Sequence, residues 1–180
     1  MTDTKDATTD IHVVLNDESI SEDTLRVAAK ILELRQPAII VEAGTYKGTF
    51  AITAAAVCKE ARVYTADAID HNWRWLLERN KVADRVFFVN ADFEQLVVVY
   101  PEIVGQVDFA FIDSGWPMIK HEGGVRLRHF QAAQHWLKPG GAMLIDDMHK
   151  REWPGAEEIA EQCCVILPTD RGLGVWRKHI

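Results

Sequence analysis

Acidic residues follow each of the first five apolar, strand-like stretches of this sequence. They are Glu42, Asp67, Asp92, Asp113 and the pair Asp146-Asp147. In a doubly wound α/β sheet, ligands bind outside the carboxyl ends of the strands. Any single acid at such a position is equally well explained as a helix cap. Five of them in a row predict instead that carboxylates line one ligand-binding edge of a sheet.

Three of these carboxylates belong to the fourth and fifth predicted strands. Asp113 ends the fourth strand and Asp146-Asp147 end the fifth, so they lie together if the two strands are neighbours. Converging carboxylates repel one another unless a cation lies between them. Oxygen-only ligands suit Mg²⁺, Mn²⁺ or Ca²⁺ better than zinc. The pattern therefore predicts a divalent-metal site, most simply for Mg²⁺.

The stretch from Pro37 to Gly48 predicts a buried strand that breaks at Gly44 and restarts after Gly48 as an alanine-rich helix. Glycines let a backbone come close to a ligand, and the N-terminus of the helix faces it. The spacing is Glu-x-Gly-x-x-x-Gly and not the Gly-x-Gly-x-x-Gly of dinucleotide folds. Asp67 follows Gly44 by 23 residues, near the interval at which an acid contacts ribose hydroxyls. Asp92 is placed to accept from the exocyclic amine of a purine.

Strands and helices alternate along the chain that positions these residues. A helix begins after Ser21 and ends before Pro37, five strand–helix units follow, and the tail contains two strands joined by a turn at residues 170–172. Alternation predicts a parallel sheet with helices on both faces. The last two strands have no helix between them, so we expect them to form an antiparallel hairpin. The last strand-connecting helix is expected over 156–162, and a longer one over 122–137, closed by the Lys-Pro-Gly-Gly at 138–141.

A series of short motifs resembles the class I S-adenosylmethionine-dependent methyltransferases. In chain order they are VEAGTYKG (41–48), the Asp67 strand end, VNAD (89–92), FID (111–113), LKPGG (137–141) and LIDD (144–147). The metal-dependent, catechol O-methyltransferase-like branch is the most similar, and the resemblance covers residues 37 to about 177. It implies an α/β, Rossmann-like, doubly wound sheet of seven strands in the order 3-2-1-4-5-7-6, with strand 7 antiparallel.

The resemblance also implies roles for individual residues. Cofactor binding falls to Glu42, Gly44, Tyr46, Gly48, Asp67, Asp92 and Asp113, and metal binding to Asp113, Asp146 and Asp147. Glu42 and Gly44 would line the methionine part of S-adenosylmethionine, with Tyr46 near the sulfonium. Asp67 would hold the ribose hydroxyls and Asp92 would approach the adenine.

The implied reaction is metal-assisted transfer of a methyl group from a sulfonium to a hydroxyl oxygen of a small molecule. Catechol-type members carry a catalytic lysine soon after the FID aspartate, whereas here Ser-Gly-Trp-Pro-Met-Ile precedes Lys120. Lys120 and His121 are the candidate bases, although a solvated loop charge ahead of a helix is the simpler explanation of both. His149 is a further candidate base or ligand. Trp116, Met118, Met148 and Trp153 are candidates for an acceptor pocket.

Other side chains receive structural interpretations. The arginine pair in Arg126-Leu-Arg128 is typical of a solvated helix face, and His129 and His135 of surface or packing positions on a helix. Three other functions remain open: a metal-independent methyltransferase, a nicotinamide-dependent oxidoreductase, and a non-catalytic cofactor-binding protein. The ring of carboxylates weighs against the oxidoreductase because it would repel a pyrophosphate.

Composition and charge restrict the classes of partner and the cell compartment that we expect for this protein. The 180-residue chain has a net charge of −7, which argues against nucleic acid or an anionic membrane. The three cysteines contain no Cys-x-x-Cys pair, which favours thiols in a reducing compartment. The polar, acidic start is typical neither of a signal peptide nor of a transit peptide, and no apolar run approaches about 20 residues. We expect a cytoplasmic protein with a flexible segment (1–20), one domain (21–180), a small-molecule acceptor and possible homodimerisation.

Overall fold

The computed structural model describes residues 11–13, 20–115, 124–149 and 153–179. The helices are α1 (Glu22–Arg35), α2 (Thr49–Val57), α3 (Trp75–Arg79), α4 (Leu96–Val99), α5 (Val125–Trp136) and α6 (Ala156–Gln162). The strands are β1 (Ile39–Ala43), β2 (Arg62–Ala66), β3 (Val86–Val89), β4 (Val107–Ile112), β5 (Leu137–Ile145), β6 (Val165–Leu167) and β7 (Leu173–Arg177). Short 3₁₀ turns at Phe93–Gln95 and Pro101–Ile103 flank α4.

The strands form one seven-stranded sheet in the order β3-β2-β1-β4-β5-β7-β6. Strands β1 to β5 pair in parallel, and β7 is antiparallel to both β5 and β6. The α/β, Rossmann-like sheet and its strand order are therefore confirmed, including the terminal hairpin. The strand directions follow from the connections, because parallel neighbours need a crossover helix and antiparallel neighbours need only a turn. The strand order is the one that the family resemblance implied.

Apolar layers cover both faces of the sheet. On one face α1 and α2 pack over β1 and β4, with the rings of Phe50 and Phe111 stacked 4.1 Å apart. On the other face α5 packs over β4 and β5 through Phe130, Ala133 and Trp136. Burial on both faces explains why the central strands are continuous apolar runs and not alternating ones.

The boundary between α5 and β5 differs from the sequence expectation. The predicted helix over 122–137 ends at Trp136, and the Lys-Pro-Gly-Gly predicted to close it is part of β5; residues 122 and 123 lie outside the described ranges. The segment joins the sheet because it pairs with the tail: the Gly140 N–H donates to the Lys178 carbonyl, and the Lys178 N–H donates to the Gly141 carbonyl. Partners 38 residues away in the sequence were not visible to a local pattern.

Part of the predicted flexible segment is packed. Ile11 and Val13 contact the core cluster beside α1 and α2. The His12 N–H donates to Asn80 Oδ1 at 2.8 Å, and Asn80 Nδ2 donates to the His12 carbonyl at 2.8 Å. The rest of that segment, residues 1–10 and 14–19, lies outside the described ranges. Within the described ranges, no helix is both long enough and apolar enough to cross a membrane.

Candidate functional site

Register places the predicted acids at one edge of the sheet. Ala43 of β1 pairs with Ala66 of β2 and with Ile112 of β4, and Ile112 pairs with Ile145 of β5. The residues that immediately follow these partners are Gly44, Asp67, Asp113 and Asp146. They therefore occupy equivalent positions at the carboxyl ends of four adjacent strands, where ligands of this type of sheet bind.

The two glycines of the first turn are required by contacts within the protein. Gly44 has φ +91°, and a Cβ there would lie 2.3 Å from the Asp113 carbonyl oxygen. Gly48 has φ +73°, and a Cβ there would lie 2.1 Å from the ring of Trp73. The sequence interpretation assigned these glycines to close approach of a ligand. Protein groups fill the space at both positions, so the glycines let the turn after β1 approach the end of β4 and the loop before α3 closely. Their expected role beside a ligand stays a prediction.

Asp67 fixes the conformation of that turn. Its Oδ2 accepts from the Tyr46 N–H at 2.8 Å and its Oδ1 accepts from the Ile69 N–H at 3.0 Å. Tyr46 has φ +45°, an uncommon conformation for a residue with a side chain. Its ring packs edge-on against His71, with centroids 4.6 Å apart. Each Asp67 oxygen has more than one lone-pair direction, so the carboxylate has further accepting capacity toward a ligand.

Glu42 is buried in β1, one residue short of the edge. It is 2% exposed and accepts from the Thr65 hydroxyl, which contacts the Thr45 hydroxyl in turn. Burial raises the pKa of Glu42 well above its ordinary value, the bond from Thr65 opposes this, and the charges of Asp113 and Asp67 add to it. The hydrogen bond from Thr65 joins β1 to β2 beneath the turn, and the expected contact of Glu42 with the methionine part of the cofactor stays a prediction.

Asp92 is engaged by three partners. It caps the 3₁₀ turn at Phe93–Gln95 through the Glu94 N–H at 3.3 Å, and it accepts from Arg128 Nη2 at 2.7 Å. His129 Nε2 lies 3.0 Å from Asp92 Oδ1. Burial acts to raise the pKa of Asp92, but the charge and hydrogen bond of His129, the Glu94 N–H and the charge of Arg128 outweigh it and lower the pKa. Its expected approach to adenine stays a prediction, and the carboxylate already has a structural task.

His129 bridges two strand ends, which rules out the surface alternative of its sequence interpretation and keeps the packing one. It is 4% exposed, with Nδ1 2.7 Å from Ser114 Oγ and Nε2 on Asp92. Burial lowers the pKa of His129, and the carboxylate of Asp92 opposes that effect. A neutral imidazole with its proton on Nε2 satisfies both contacts, since Nε2–H donates to Asp92 and Nδ1 accepts from the Ser114 hydroxyl.

A buried neutral histidine makes stability depend on pH. Because the pKa of His129 is lower when folded than unfolded, the unfolded chain binds more protons as pH falls through about 6.5, and the folded state loses stability there. His129→Gln removes this dependence and costs about 1 kcal/mol at neutral pH through the altered hydrogen bonds. We therefore expect the stability difference between wild type and His129→Gln to shrink from pH 7.5 to pH 5.5 in urea titrations.

The comparison between the two proteins isolates His129. Asp113 and Asp146 have raised pKa values, which gives them the opposite pH dependence, but they are present in both proteins and their contribution cancels. A stability difference between wild type and His129→Gln that stays constant or widens as the pH falls would contradict a neutral buried imidazole at position 129.

Asp113, Asp146 and Asp147 lie together, with one carboxylate oxygen from each within 4.8 Å of the others. Asp146 is fully buried; its Oδ1 accepts from the Thr24 hydroxyl of α1 at 3.3 Å, and its Oδ2 has no hydrogen-bond partner among the described residues. Burial, followed by the charge of Asp147, raises the pKa of Asp146 to about 6. Burial and the charges of Asp146 and Asp147 raise the pKa of Asp113 well above its ordinary value, against the effect of Arg126.

Arg126 points into this cluster, which corrects its interpretation as part of a solvated helix face. The side chain is 7% exposed, and Nη2 lies 3.3 Å from Asp113 Oδ1 and 3.4 Å from Asp147 Oδ2. Its guanidinium carbon lies 5.0 Å from the centroid of the Trp153 ring. Arg128, two residues later, fits the interpretation better, since its side chain is half exposed and pairs with Asp92 and Glu94.

The helical repeat contained a signal for both corrected residues. The buried side chains of α5 are Arg126, His129, Phe130, Ala133 and Trp136. They recur at intervals of three and four residues, the spacing of one helix face. Polar residues that share a face with phenylalanine and tryptophan are directed toward the core, and a buried cation there requires a buried acid.

Several other predicted site residues lie elsewhere. The candidate bases Lys120 and His121, like Trp116 and Met118, fall in 116–123, outside the described residues. His149 is exposed and its ring packs on Gly172. Met148 is fully buried in the core. Trp153 Nε1 donates to the Asp147 carbonyl at 3.2 Å, so this ring borders the acidic cluster.

Comparison with known proteins places the chain in a family. The family described as "Methyltransferase domain" matches residues 41–148, which contain the glycine turn and all the predicted acids. No curated protein sequence matches the chain.

Similar solved structures share the fold. A methyltransferase from Geobacter sulfurreducens aligns with a TM-score of 0.72 at 16% identity, covering 91% of this chain and 81% of that one. The O-methyltransferase TomG from Streptomyces achromogenes, involved in tomaymycin synthesis and solved with SAM, aligns with a TM-score of 0.65 at 18% identity over 91% and 83%. An O-methyltransferase from Bacillus cereus in complex with SAH aligns with a TM-score of 0.64 at 22% identity over 76% and 61%.

Proposed function

Because the chain belongs to the methyltransferase-domain family, we propose that it is an S-adenosylmethionine-dependent O-methyltransferase that methylates a hydroxyl group of a small molecule. The observation that carries this proposal is the position of Asp67 at the end of β2, where it holds the first turn through the Tyr46 N–H. A carboxylate beside that turn is the group that a ribose diol requires. Two similar O-methyltransferases were solved with SAM or SAH, which supports the same cofactor here.

The residues at the carboxyl edge fit S-adenosylmethionine in charge and in hydrogen bonding. Asp67 has acceptor capacity for ribose hydroxyls, and the acidic edge suits a ligand that carries a sulfonium and an ammonium group. Gly44, Tyr46 and Gly48 shape the turn that would border the methionine part, and Glu42 supports it from within the strand. When bound, the cofactor supplies a methyl group that is activated by the positive charge on sulfur.

The contribution of the protein to catalysis is to position the methyl donor and the acceptor hydroxyl. Methyl transfer needs donor carbon and acceptor oxygen in line at about 3 Å, and holding them there accounts for much of the acceleration. The rigid strand ends provide that precision because β1, β4 and β5 are buried on both faces. The acceptor hydroxyl must lose its proton during transfer, and Lys120 and His121 stay the predicted bases for it.

Metal assistance is the part of the sequence prediction that the site supports least. Asp113, Asp146 and Asp147 are the residues that would hold Mg²⁺, and it would act there as a Lewis acid toward a bound hydroxyl. Oxygen-only donors suit that ion, but Arg126 Nη2 already contacts oxygens of Asp113 and Asp147. The described residues therefore do not fit a divalent ion alongside the guanidinium. This favours the metal-independent methyltransferase.

The remaining predictions about partners follow from composition. Net charge of −7 supports a small-molecule acceptor over nucleic acid or an anionic membrane. A cytoplasmic location and a homodimer that closes the acceptor pocket stay predictions. A non-catalytic cofactor-binding protein would share the cofactor site but would not form product.

Calorimetric titration with S-adenosylmethionine, combined with a transfer assay, tests the proposal. We expect binding with Mg²⁺ and equally with EDTA, and formation of S-adenosylhomocysteine when a panel of phenols, catechols and aliphatic alcohols is supplied. Binding without product for every acceptor class would favour the non-catalytic alternative. No cofactor binding in either buffer would contradict the proposed function.

A further inference from the structure

We propose that the guanidinium of Arg126 is the resident cation of the acidic cluster, at the position that the sequence pattern assigns to a divalent metal ion. The cluster consists of Asp113, Asp146 and Asp147. The role of Arg126 in the reaction rests on the proposed function, whereas its role as the counter-ion of the cluster does not.

The hydrogen bonds of Arg126 account for all five of its N–H groups. Nε donates to the Ser114 carbonyl at 2.8 Å, and Nη1 donates to the Asp146 carbonyl at 2.7 Å and toward Asp147 Oδ2 at 3.5 Å. Nη2 donates to Asp113 Oδ1 at 3.3 Å and to Asp147 Oδ2 at 3.4 Å. A guanidinium has five N–H donors in a planar fork, so no donor remains for a substrate. Arg126 is therefore a positioning residue.

Packing holds the guanidinium in this place. Arg126 lies on the second residue of α5, on the face that is buried against the sheet. The Trp153 ring covers it with 5.0 Å between the guanidinium carbon and the ring centroid, a cation–π arrangement. Trp153 is itself anchored by its bond to the Asp147 carbonyl. Trp153 thus contacts both the guanidinium and the backbone of the cluster.

A divalent ion and this guanidinium compete for the same oxygens. Arg126 Nη2 donates to one oxygen each of Asp113 and Asp147. An ion that bridged these two carboxylates would therefore place a like charge next to a buried guanidinium. The positive charge of Arg126 also acts on the pKa values of Asp113 and Asp146 in the direction that a metal would. A divalent ion and the Arg126 guanidinium therefore exclude one another at the cluster, and the guanidinium occupies it.

This assignment changes the expected acceptor. A metal-assisted site selects vicinal hydroxyls because both can bind the ion. Without that ion, a second hydroxyl is not required for orientation. We therefore expect a monohydroxyl acceptor to be methylated as efficiently as the matching catechol, within about threefold, because loss of one optional contact changes the transition state little.

Titration with Mn²⁺ tests the counter-ion role directly, by calorimetry and by the shift in melting temperature. Wild type should bind no Mn²⁺ at the cluster. Arg126→Met removes the guanidinium that contacts the carboxylates of Asp113 and Asp147, so Mn²⁺ affinity should rise about 10-fold or more and Mn²⁺ should raise the melting temperature of this variant only. Arg126→Lys keeps a positive charge and should gain no site. Arg26→Met, which removes an exposed arginine of α1, is the matched control.

Each outcome decides the assignment. Binding of Mn²⁺ to wild type that is lost in Asp147→Asn would overturn it, and so would an Arg126→Met variant that folds but gains no Mn²⁺ affinity. If Arg126→Met does not fold, Mn²⁺ titrations of wild type, Asp147→Asn and Arg126→Lys test the assignment in its place. Methyl-transfer assays separate the two proposals. Absence of product in all conditions would count against the proposed methyltransferase function. The Mn²⁺ titrations would still test whether Arg126 is the counter-ion of the cluster.

Discussion

Asp67→Ala is expected to weaken S-adenosylmethionine binding by about 100-fold or more. A carboxylate that accepts from two ribose hydroxyls contributes about 1.5–3 kcal/mol per charge-assisted bond, and about 3 kcal/mol corresponds to more than two orders of magnitude in the dissociation constant. The variant also loses the acceptor for the Tyr46 N–H at 2.8 Å, so the turn that borders the cofactor becomes less fixed. Calorimetry on the folded variant measures the effect.

Two variants separate the ribose contact from the support of the turn. Asp67→Asn keeps an oxygen for the Tyr46 N–H but loses the charge, so an intermediate affinity is expected. Asp84→Ala removes an exposed aspartate, with a side chain 78% exposed, near the amino end of β3 and away from the acidic edge. It should bind as wild type does. An Asp67→Ala protein that is folded and keeps wild-type affinity would refute the ribose role.

Arg126→Met is expected to lower the free energy of unfolding by about 3–5 kcal/mol, the usual cost of removing one partner from a buried ion pair. The guanidinium is 7% exposed, and the carboxylates of Asp113 and Asp147 are 20% and 17% exposed, so water compensates little for its loss. The variant also gives up the contact with the Trp153 ring. Urea denaturation at neutral pH provides the measurement.

The control for this prediction is an exposed ion pair. Arg26 pairs with Glu22 at 2.8 Å, and both side chains are 71% exposed. Such surface pairs contribute about 0–1 kcal/mol, so Arg26→Met should leave stability almost unchanged. If Arg126→Met cost no more than Arg26→Met, the guanidinium would not be the counter-ion of the cluster.

Both corrections to the predicted site concern α5, and they have one cause. Arg126 and His129 each carry a polar group at the end of a side chain whose stem lies on the apolar face of the helix. Composition of the segment suggested a solvated surface, because two arginines and a histidine stand close together in the sequence. The helical repeat assigns two of those three to the buried side, where each finds an acid from a strand end: Asp113 or Asp147 for Arg126, and Asp92 for His129.

The sequence by itself determined the architecture and the edge at which ligands bind. Strands that alternate with helices require parallel neighbours and crossover connections, and a final pair without a helix requires an antiparallel hairpin. Acids at the strand ends then come to one edge, because parallel strands all end on the same side. The edge positions of Asp67, Asp113, Asp146 and Asp147 follow from that rule, and the cluster of the last three also requires β4 and β5 to be neighbours.

Only the tertiary structure decided which groups meet at that edge. The cation of the acidic cluster comes from Arg126 on α5, the space at Gly44 is filled by the Asp113 backbone, and Lys-Pro-Gly-Gly joins β5 because the tail at Lys178 pairs with it. These partners are distant in sequence, and their choice depends on where a helix packs on the sheet and how far a side chain extends. A local pattern records the chemical type of a residue, whereas its partner is set by distance in space.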